Sequence, residues 1–448
     1  MKGRIQFRGS PGRRSGAPGV VFLLTAWCVQ TGHAITLEGV LQTALEKNPA
    51  ILQAKANVEQ AAGRRLVFRS IVWPSARLNA PAGVQGGHRA GESTKGFAFA
   101  QGSFVQPIFN AAIPASLRRG DVDVLIAQQQ LNVAVTEQLH AARLAFYSAL
   151  YNRALQTLRE EQRQRLDENV ASQKQRYEAG LTDRSGFTSA TVEARELDSQ
   201  VESARRDYKQ ARLNLALAMG EDPSQTLPEP EGDLEFSSRT VDLESETRTA
   251  LERRPDLQLA RGLVRAANED ERIIEAGYYP VVTAFVSGHY LPITGIHREG
   301  STSRTNDFIS SEVREGANYT WRVIDNGAVT GAVRKARAVR EINEVALQKL
   351  ETHVGRELLR IHNDLRAIEA RHKSLASAET AVQESTRTVE QNLAGGLASQ
   401  LEYRLTQNGY LETRSGLLSA AYFYNVALAE WDRATGRYFQ FSDASVGR

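Results

Sequence analysis

The chain of 448 residues changes its pattern of hydrophobic and polar positions in a fixed order. Residues 37–71 repeat apolar side chains at helical spacing, with Thr36 as a candidate N-cap and Pro49 as a break. Between residues 74 and 107 the chain is rich in glycine, and apolar side chains alternate with others. This period of two predicts a β-hairpin, with its turn near residues 86–96.

Two stretches of the first half, Asp121–Ala179 and Phe187–Met219, contain neither Gly nor Pro. At 1.5 Å per residue the first predicts a helix about 90 Å long. The second half repeats these patterns, with predicted strands at Val281–Ile293 and Val313–Ile324 and predicted helices at Gly331–Leu393 and Ala398–Ala434. Each helix has one narrow apolar stripe, so a single hairpin of such helices cannot bury its stripe alone. We therefore expect several of them to pack side by side.

Short sequence segments recur at offsets of 206 and then 216 residues. The recurring pairs are Ala44–Pro49 with Ala250–Pro255, Trp73–Pro74 with Tyr279–Pro280, Tyr177–Leu181 with Leu393–Leu397, and Ala218–Gly220 with Ala434–Gly436. The alternative is chance similarity between helical segments of ordinary composition. Ordered matches at shared offsets favour a duplication, with a first repeat at 35–232 and a second at 233–448.

The first 34 residues have the three-part order of a secretory signal peptide. Basic residues precede an apolar stretch, Gly19–Trp27, and a small-residue site at Gly32–Ala34. We expect cleavage after Ala34; the alternative is lipid attachment at Cys28, the only cysteine of the chain, but Trp27 stands where a lipoprotein signal needs a small residue. No later run of eighteen apolar residues predicts a transmembrane helix, so the mature protein is either free beyond the inner membrane or embedded in an outer membrane as a β-barrel.

Charge argues against a nucleic-acid partner. The whole chain has 55 Lys and Arg against 52 Asp and Glu, but five of the basic residues lie in the leader. The rest of the chain has a net charge of −2. General nucleic-acid binders carry a clustered basic excess, which is absent from this sequence.

The number of predicted strands indicates an oligomer. Two hairpins give four strands in each chain, and a sheet within a membrane must close on itself to satisfy its backbone. Four strands are too few for a closed sheet of that kind. Several chains must therefore contribute strands to one barrel.

Taken in order and twice, these motifs resemble those of the TolC-like outer-membrane efflux proteins, the outer membrane factors. The resemblance covers the mature chain: the Ala-Leu-Glu-x-x-Pro start of both halves, the aromatic-Pro pair before each hairpin, Gln106–Phe109, and Tyr177–Leu181. It implies a mainly α-helical homotrimer with two structural repeats per chain. Each chain would give four strands to a twelve-stranded membrane β-barrel, which continues into a periplasmic α-helical barrel of coiled-coil hairpins.

The resemblance also implies a function and partners. Such proteins lie in the cell outer membrane, extend into the periplasm and form the passive exit duct of a tripartite efflux pump or a type I secretion system. They join an inner-membrane transporter through a periplasmic adaptor, the membrane fusion protein, and need no cofactor. Drugs, metal ions and proteins all remain possible cargo. Arg253–Leu257 resembles the small-molecule branch, which favours small-molecule efflux.

The same resemblance implies site residues at the two helical turns. In that family a carboxylate six residues beyond the glycine of the second turn narrows the pore, and counting from Gly396 gives Glu402. Three Glu402 side chains would form a like-charged ring that favours cations and raises the pKa of its members; the alternative is a solvated glutamate. Leu405 stands where a second carboxylate often lies. The turns 176–183 and 393–400 resemble the tips that contact the adaptor, with Gly180, Leu181, Asp183, Gly396 and Leu397 as contact residues.

No catalytic signature is present, so we expect no enzyme. The sequence lacks Gly-x-Ser-x-Gly, the phosphate-binding loop and His-Glu-x-x-His. His353, His362 and His372 are nine and ten residues apart on one predicted helix, a spacing that no nearby ligand pattern completes into a metal site, and we interpret them as surface residues. The main alternative function is a periplasmic coiled-coil adaptor or structural protein without a barrel. A secreted enzyme is disfavoured.

Overall fold

The fold is that of a computed structural model, which describes residues 34–85, 95–181, 183–222, 224, 227–290 and 311–438. The predicted signal peptide, Cys28 and the predicted turn near residues 86–96 lie almost entirely outside the described residues. Within the described part, no helix is both long and apolar enough to cross a bilayer.

Helices dominate the chain, and the same order of elements occurs twice. The first repeat contains β1 (Ala34–Ile35), α1 (Leu37–Lys47), α2 (Pro49–Arg69), β2 (Ser75–Asn79), β3 (Ala82–Gln85), β4 (Lys95–Ala98), β5 (Ala100–Asn110), α3 (Ile113–Glu178) and α4 (Arg184–Met219). After β6 (Glu229–Pro230), the second contains α5 (Leu243–Arg253), α6 (Pro255–Glu275), β7 (Val281–Tyr290), β8 (Ser311–Thr320), α7 (Ala328–Ala394) and α8 (Gln400–Ala434). With 66 residues in α3 and 67 in α7, each long helix extends about 100 Å.

The two repeats build one antiparallel sheet. Its strand order is β2-β5-β7-β8, so the central pair joins a strand of the first repeat to a strand of the second. A bulge between Pro107 and Phe109 shifts the register of that central pair. The strands β3 and β4 pair with each other beyond the break at residues 80–81 and 99. Among the strands that the structure describes in one chain, the outer two of the four, β2 and β8, each have one unpaired edge.

Proline and capping side chains set the short helices at the start of each repeat. Thr36 accepts a hydrogen bond from the Gly39 backbone N–H at 3.3 Å, which confirms it as the cap of α1. Pro49 and Pro255 each occupy the first turn of a new helix. A backbone N–H at this position would have no partner within the helix, so proline, which lacks that N–H, costs no hydrogen bond there. The predicted helix over residues 37–71 is thus two helices that meet at Asn48.

Some boundaries differ from the sequence prediction for identifiable reasons. Helix α3 begins at Ile113 rather than Asp121, because Gly120 is a helical position at which α2 approaches closely: a Cβ on Gly120 would lie 3.0 Å from the Cβ of Phe68. Helix α4 begins at Arg184, three residues earlier than expected, because Asp183 caps it. Strand β8 ends at Thr320, so the segment up to Ile324 is not strand.

Each repeat packs its short helices onto its long hairpin through its own apolar core. In the first core Val40, Leu41 and Ile51 pack against Leu139 and Phe146. The second core contains Leu257, Val354, Leu358, Tyr424 and Trp431, with Trp431 fully buried. The apolar stripes predicted from the sequence are therefore buried partly within the chain.

A cluster of ion pairs beside the second core links the two repeats. Buried Arg254 donates to Glu357 at 2.6 Å, and Arg433 donates to the other oxygen of Glu357 at 2.6 Å and to Glu137 of α3 at 3.3 Å. Burial alone would raise the pKa of Glu357, but the hydrogen bonds and charges of the two arginines outweigh burial and lower it. The cluster joins α3 of the first repeat to α5–α8 of the second.

His140 of α3 lies near this ion-pair cluster, close to the positive charges of Arg143 and Arg433. Burial lowers the pKa of His140 to about 4, and the charges of Arg433 and Arg143 act in the same direction. Its Nδ1 atom is buried and has no hydrogen-bond partner among the described residues. His140 is therefore neutral in the folded protein at physiological pH.

We predict that His140 makes the fold sensitive to mild acid. Between pH 6.5 and pH 4 the unfolded chain binds a proton on His140 that the folded chain does not, so stability falls as the pH falls through this window. In His140→Gln this part of the decline disappears, measured as the unfolding midpoint at pH 7 and at pH 5. The exposed His353→Gln is the control and keeps the full decline; an equal decline in wild type and His140→Gln would contradict the assignment.

Glycine with positive φ ends the long helices at matching places of both repeats. Gly180, Gly220, Gly396 and Gly436 have φ between +73° and +78°, and they form two pairs 216 residues apart. Only glycine adopts this conformation without steric cost. A Cβ on Gly220 would also lie 2.7 Å from the Lys47 carbonyl oxygen, whereas a Cβ on Gly180 would meet nothing within 4 Å.

A pair of alanine substitutions separates these two effects. Gly180→Ala is expected to destabilise the protein by about 1–2 kcal/mol through backbone strain alone. Gly220→Ala carries the same strain and in addition must displace the Lys47 backbone, so its loss is larger. Unfolding midpoints in detergent measure both losses, and a Gly220→Ala loss no larger than that of Gly180→Ala would contradict the close packing described.

Candidate functional site

The first helical turn connects α3 to α4 through a Schellman-type C-cap. Leu181 N–H donates to the Arg176 carbonyl at 2.8 Å across Gly180. Asp183 then accepts a hydrogen bond from the Gly186 N–H at 3.0 Å and begins α4. That bond lowers the pKa of the Asp183 carboxyl, with further help from Ser185. Asp183 is therefore an ionised helix cap at neutral pH.

The second turn, between α7 and α8, repeats this geometry. Leu397 N–H donates to the Asn392 carbonyl at 2.7 Å across Gly396. Ser399 caps α8, and Glu402 completes a capping box: Glu402 N–H donates to Ser399 Oγ at 3.1 Å, and Ser399 N–H donates to Glu402 Oε2 at 2.8 Å. The box was not predicted, although Ser-x-x-Glu is its usual sequence signature.

Glu402 is exposed and held at a defined position by this box. The hydrogen bond from the Ser399 backbone lowers the pKa of Glu402, and the Ser399 hydroxyl adds to the effect. Like-charge repulsion between copies, which the resemblance implies, would act in the opposite direction. In the single chain Glu402 is thus a cap carrying a negative charge, and its role in a pore stays a prediction.

The two turns lie side by side and are bonded to each other. Arg176 Nη1 donates to the Leu393 carbonyl at 2.6 Å, which places a cation at the C-terminal end of α7 where the helix dipole favours it. Asn169 and Gln400 form an amide pair at 3.2 Å. We call the region of the two turns, 176–183 and 393–400, the tip. No sequence pattern predicted the bonds that join the two turns of the tip.

The tip exposes apolar side chains at equivalent positions of both repeats. Leu181 is 72% exposed and Leu397 is 84% exposed. On α8, Leu401 and Leu405 are also exposed and lie one helical turn apart. Grouped apolar side chains on a surface are typical of a protein interaction site.

At the other end of the long helices, the four-stranded sheet has one mainly apolar face. Cross-strand register places Leu78, Phe104, Val286, Val313 and Tyr319 on this face, all 44–81% exposed, and it also places one charged residue there, Glu315 opposite Val286. Exposed aromatic residues also lie at the end of the sheet nearest the helices: Trp73, Tyr278, Tyr279 and Trp321. An apolar sheet face bordered by aromatic residues is suited to contact with lipid.

The histidines of α7 are not brought together. His353 is exposed, whereas His372 stacks on Phe236 with ring centroids 3.7 Å apart and His362 lies beside Trp431. The interpretation as surface residues is therefore wrong for His362 and His372, which are half-buried by aromatic neighbours. Over the described ranges, no group of three or more His, Cys, Asp or Glu side chains is placed to hold a metal ion.

Comparison with known proteins gives the same fold. The model of the family described as "Outer membrane efflux protein" matches residues 40–221 and 247–437, which include both repeats. The chain belongs to this family. No curated protein sequence matches it. The family membership confirms the resemblance drawn from the sequence, and with it the predicted location in the cell outer membrane with extension into the periplasm.

Three solved structures of similar fold are outer-membrane proteins. The CmeC outer membrane channel of Campylobacter jejuni has a TM-score of 0.76 at 14% identity, covering 95% of this chain and 94% of its own. VceC of Vibrio cholerae has a TM-score of 0.73 at 18% identity, covering 89% and 96%. The open state of the MtrE outer membrane channel of Neisseria gonorrhoeae has a TM-score of 0.74 at 16% identity, covering 89% and 88%.

These likenesses confirm the predicted fold class of the chain, mainly α-helical with two structural repeats of β-hairpin and long helical hairpin. The exact boundaries of the repeats, 35–232 and 233–448, stay predictions. So do the roles of Gly180, Leu181, Asp183, Gly396, Leu397 and Glu402.

The capping box predicts a difference between two substitutions of Glu402. Glu402→Ala removes the bond to the Ser399 N–H and is expected to cost about 0.5–1 kcal/mol in stability. Glu402→Gln keeps an oxygen acceptor and is expected to cost less. Unfolding midpoints of the two variants measure the difference, and equal losses would contradict a capping role for this side chain.

Proposed function

We propose that the chain is the exit duct of a machine that exports molecules across the periplasm and the outer membrane. The observation that carries the proposal is one body with a lipid-suited sheet at one end of helices about 100 Å long and an apolar tip at the other. The long helices of such a protein extend far from the membrane in which its sheet lies. It acts as a passive channel and carries out no reaction.

The proposed assembly is a homotrimer. The outer strands β2 and β8 each need a partner, and three copies in a ring pair β8 of one copy with β2 of the next. The result is a closed sheet of twelve strands above a ring of twelve long helices. The partly exposed stripes of α3, α4, α7 and α8 pack against neighbouring copies in that ring.

The proposed partner at the tip is a periplasmic adaptor that links the duct to an inner-membrane transporter. Leu181 and Leu397 supply apolar contacts at equivalent places of the two turns, and Gly180 and Gly396 allow the tight turns that expose them. Asp183 holds the start of α4 in position. The duplication gives each copy two similar docking turns, so a trimer presents six.

The proposed gate is the ring of three Glu402 side chains at the tip. The capping box orients each carboxylate and favours its ionised form, so the ring attracts cations into the entrance. The first repeat has Gly186 at the matching place and adds no acid there.

The choice between an efflux pump and a type I secretion system rests on the start of the second repeat. Arg254, which follows Arg253 and precedes Pro255, is buried and anchors the ion-pair cluster with Glu357. The segment Arg253–Leu257 resembles the small-molecule branch of the family, and on this ground we favour an efflux pump. An ATP-driven protein exporter as the neighbouring transporter would contradict that choice.

The alternative, a periplasmic adaptor or structural protein, predicts a single helical hairpin flanked by compact β-domains. Cell fractionation separates the two functions. We expect the protein in the outer membrane, as a trimer that dissociates to monomer only when heated before electrophoresis. A monomeric protein released with the periplasm would contradict the duct.

The gate is tested by recording from purified trimers in planar bilayers. We expect divalent cations to block the wild type from the tip side, and both Glu402→Ala and Glu402→Gln to weaken that block because both remove the charge. Since Glu402→Gln keeps the cap, loss of block in this variant reports charge rather than folding. Unchanged block in both variants would show that Glu402 does not line the entrance.

A further inference from the structure

The face of the sheet opposite the apolar one carries two complete rows of polar side chains. Cross-strand register aligns one row as Arg77, Ser103, Ser287 and Arg314, and the next as Asn79, Gln101, His289 and Glu312. Side chains paired across an antiparallel sheet lie on the same face. All eight positions are polar, whereas the next row towards the helices contains Val105 and Phe285.

These two rows lie at the end of the sheet that is remote from the helices. His289 and Glu312 are next to Tyr290 and Ser311, where β7 ends and β8 begins, while the helices join at Val281 and Thr320. Part of both rows lines a concave recess of about 480 Å³. The polar rows are therefore on the concave side of the sheet, away from the apolar face.

Positive charge is in excess on this face. Arg314 donates from Nη2 to Glu312 Oε2 at 3.0 Å, so these two charges largely compensate each other. Arg77 is exposed and makes no ion pair with any residue that the structure describes. Each copy thus contributes one uncompensated guanidinium.

The two arginines also occupy the two outer strands, Arg77 on β2 and Arg314 on β8. This step rests on the proposed function: pairing of β8 with β2 of the next copy brings the polar end of one copy's sheet beside the polar end of the next. Arg314 of one copy and Arg77 of the next then lie on adjoining strands around an aqueous lumen with low-dielectric walls, which strengthen their field. Guanidinium groups on adjoining strands suit carboxylate, phosphate and sulfonate groups, which they bind with paired hydrogen bonds.

We propose that this double row is an anion-binding site in the duct, and that the exported molecules include compounds with carboxylate, phosphate or sulfonate groups. The site lies at the far end from Glu402. An acidic entrance and a basic exit would favour molecules that carry both signs of charge over simple cations.

The test is block of single-channel current by tripolyphosphate added on the side of the sheet that is remote from the helices. We expect block of the wild type, weakened about tenfold or more in the double variant Arg77→Gln/Arg314→Gln because charge-assisted hydrogen bonds are lost. The reversal potential in a KCl gradient shifts towards cation selectivity in the same variant. Arg77→Lys/Arg314→Lys keeps the charge and retains most of the block.

Two further variants keep the result interpretable. Glu312→Gln frees Arg314 and is expected to strengthen the block, an effect that misfolding would not produce. Arg248→Gln, whose side chain is 75% exposed on α5, changes nothing. Conducting trimers with equal tripolyphosphate block in wild type, Gln and Lys variants would overturn the anion site and leave the duct intact. Absence of trimers or of conductance would overturn the proposed duct and the site with it.

Discussion

Unpaired backbone at the two outer strands of a lipid-suited sheet is the constraint from which the rest of this account follows. A strand edge in hydrocarbon leaves N–H and C=O groups without partners, at a cost of several kcal/mol for each group. One chain supplies four strands and ends with two such edges, at β2 and β8. Copies of the chain can satisfy each other's edges, and a ring of copies leaves none. The same ring lets the long helices complete the burial of their apolar stripes.

The duplication produces one body rather than two independent domains. The central strand pair, β5 with β7, crosses between repeats, and so do the bonds from Arg433 to Glu137 and from Arg176 to the Leu393 carbonyl. Equivalent positions of the two repeats bond the same helix carbonyl with different side chains. Asn48 donates to the Ala218 carbonyl at 3.0 Å, and Arg254, at the matching place, donates to the equivalent carbonyl of Ala434 at 3.3 Å. At this position the second repeat therefore has a buried guanidinium where the first has a neutral amide.

Much of the fold could be predicted because its signals are local. Glycines 216 residues apart predicted matching turns, and Pro49 predicted the break between two short helices, since both residue types restrict the backbone directly. The predicted start of α3 was too late because Gly120 was expected to precede the helix. Gly120 is instead a helical residue packed closely against α2, and no local sequence pattern shows that contact. The pairing of β5 with β7 and the bond from Arg176 to Leu393 depend on residues about 180 and 217 apart, so spacing alone could not reveal them. The capping box at Glu402, by contrast, had a local signature.

Cysteine cross-linking of the two outer strands shows whether β8 of one copy pairs with β2 of the next. With cleavage of the leader the chain has no native cysteine, and within one copy β2 and β8 are separated by three strand spacings, about 14 Å, which is too far for a disulfide. We expect at least one variant that combines Ser75→Cys with Gly316→Cys, Asn318→Cys or Thr320→Cys to form covalent trimers in oxidised outer membranes, as resolved by non-reducing electrophoresis. If every such variant remains monomeric while single-cysteine controls behave identically, the sheet edges do not meet between copies and the proposed ring does not form.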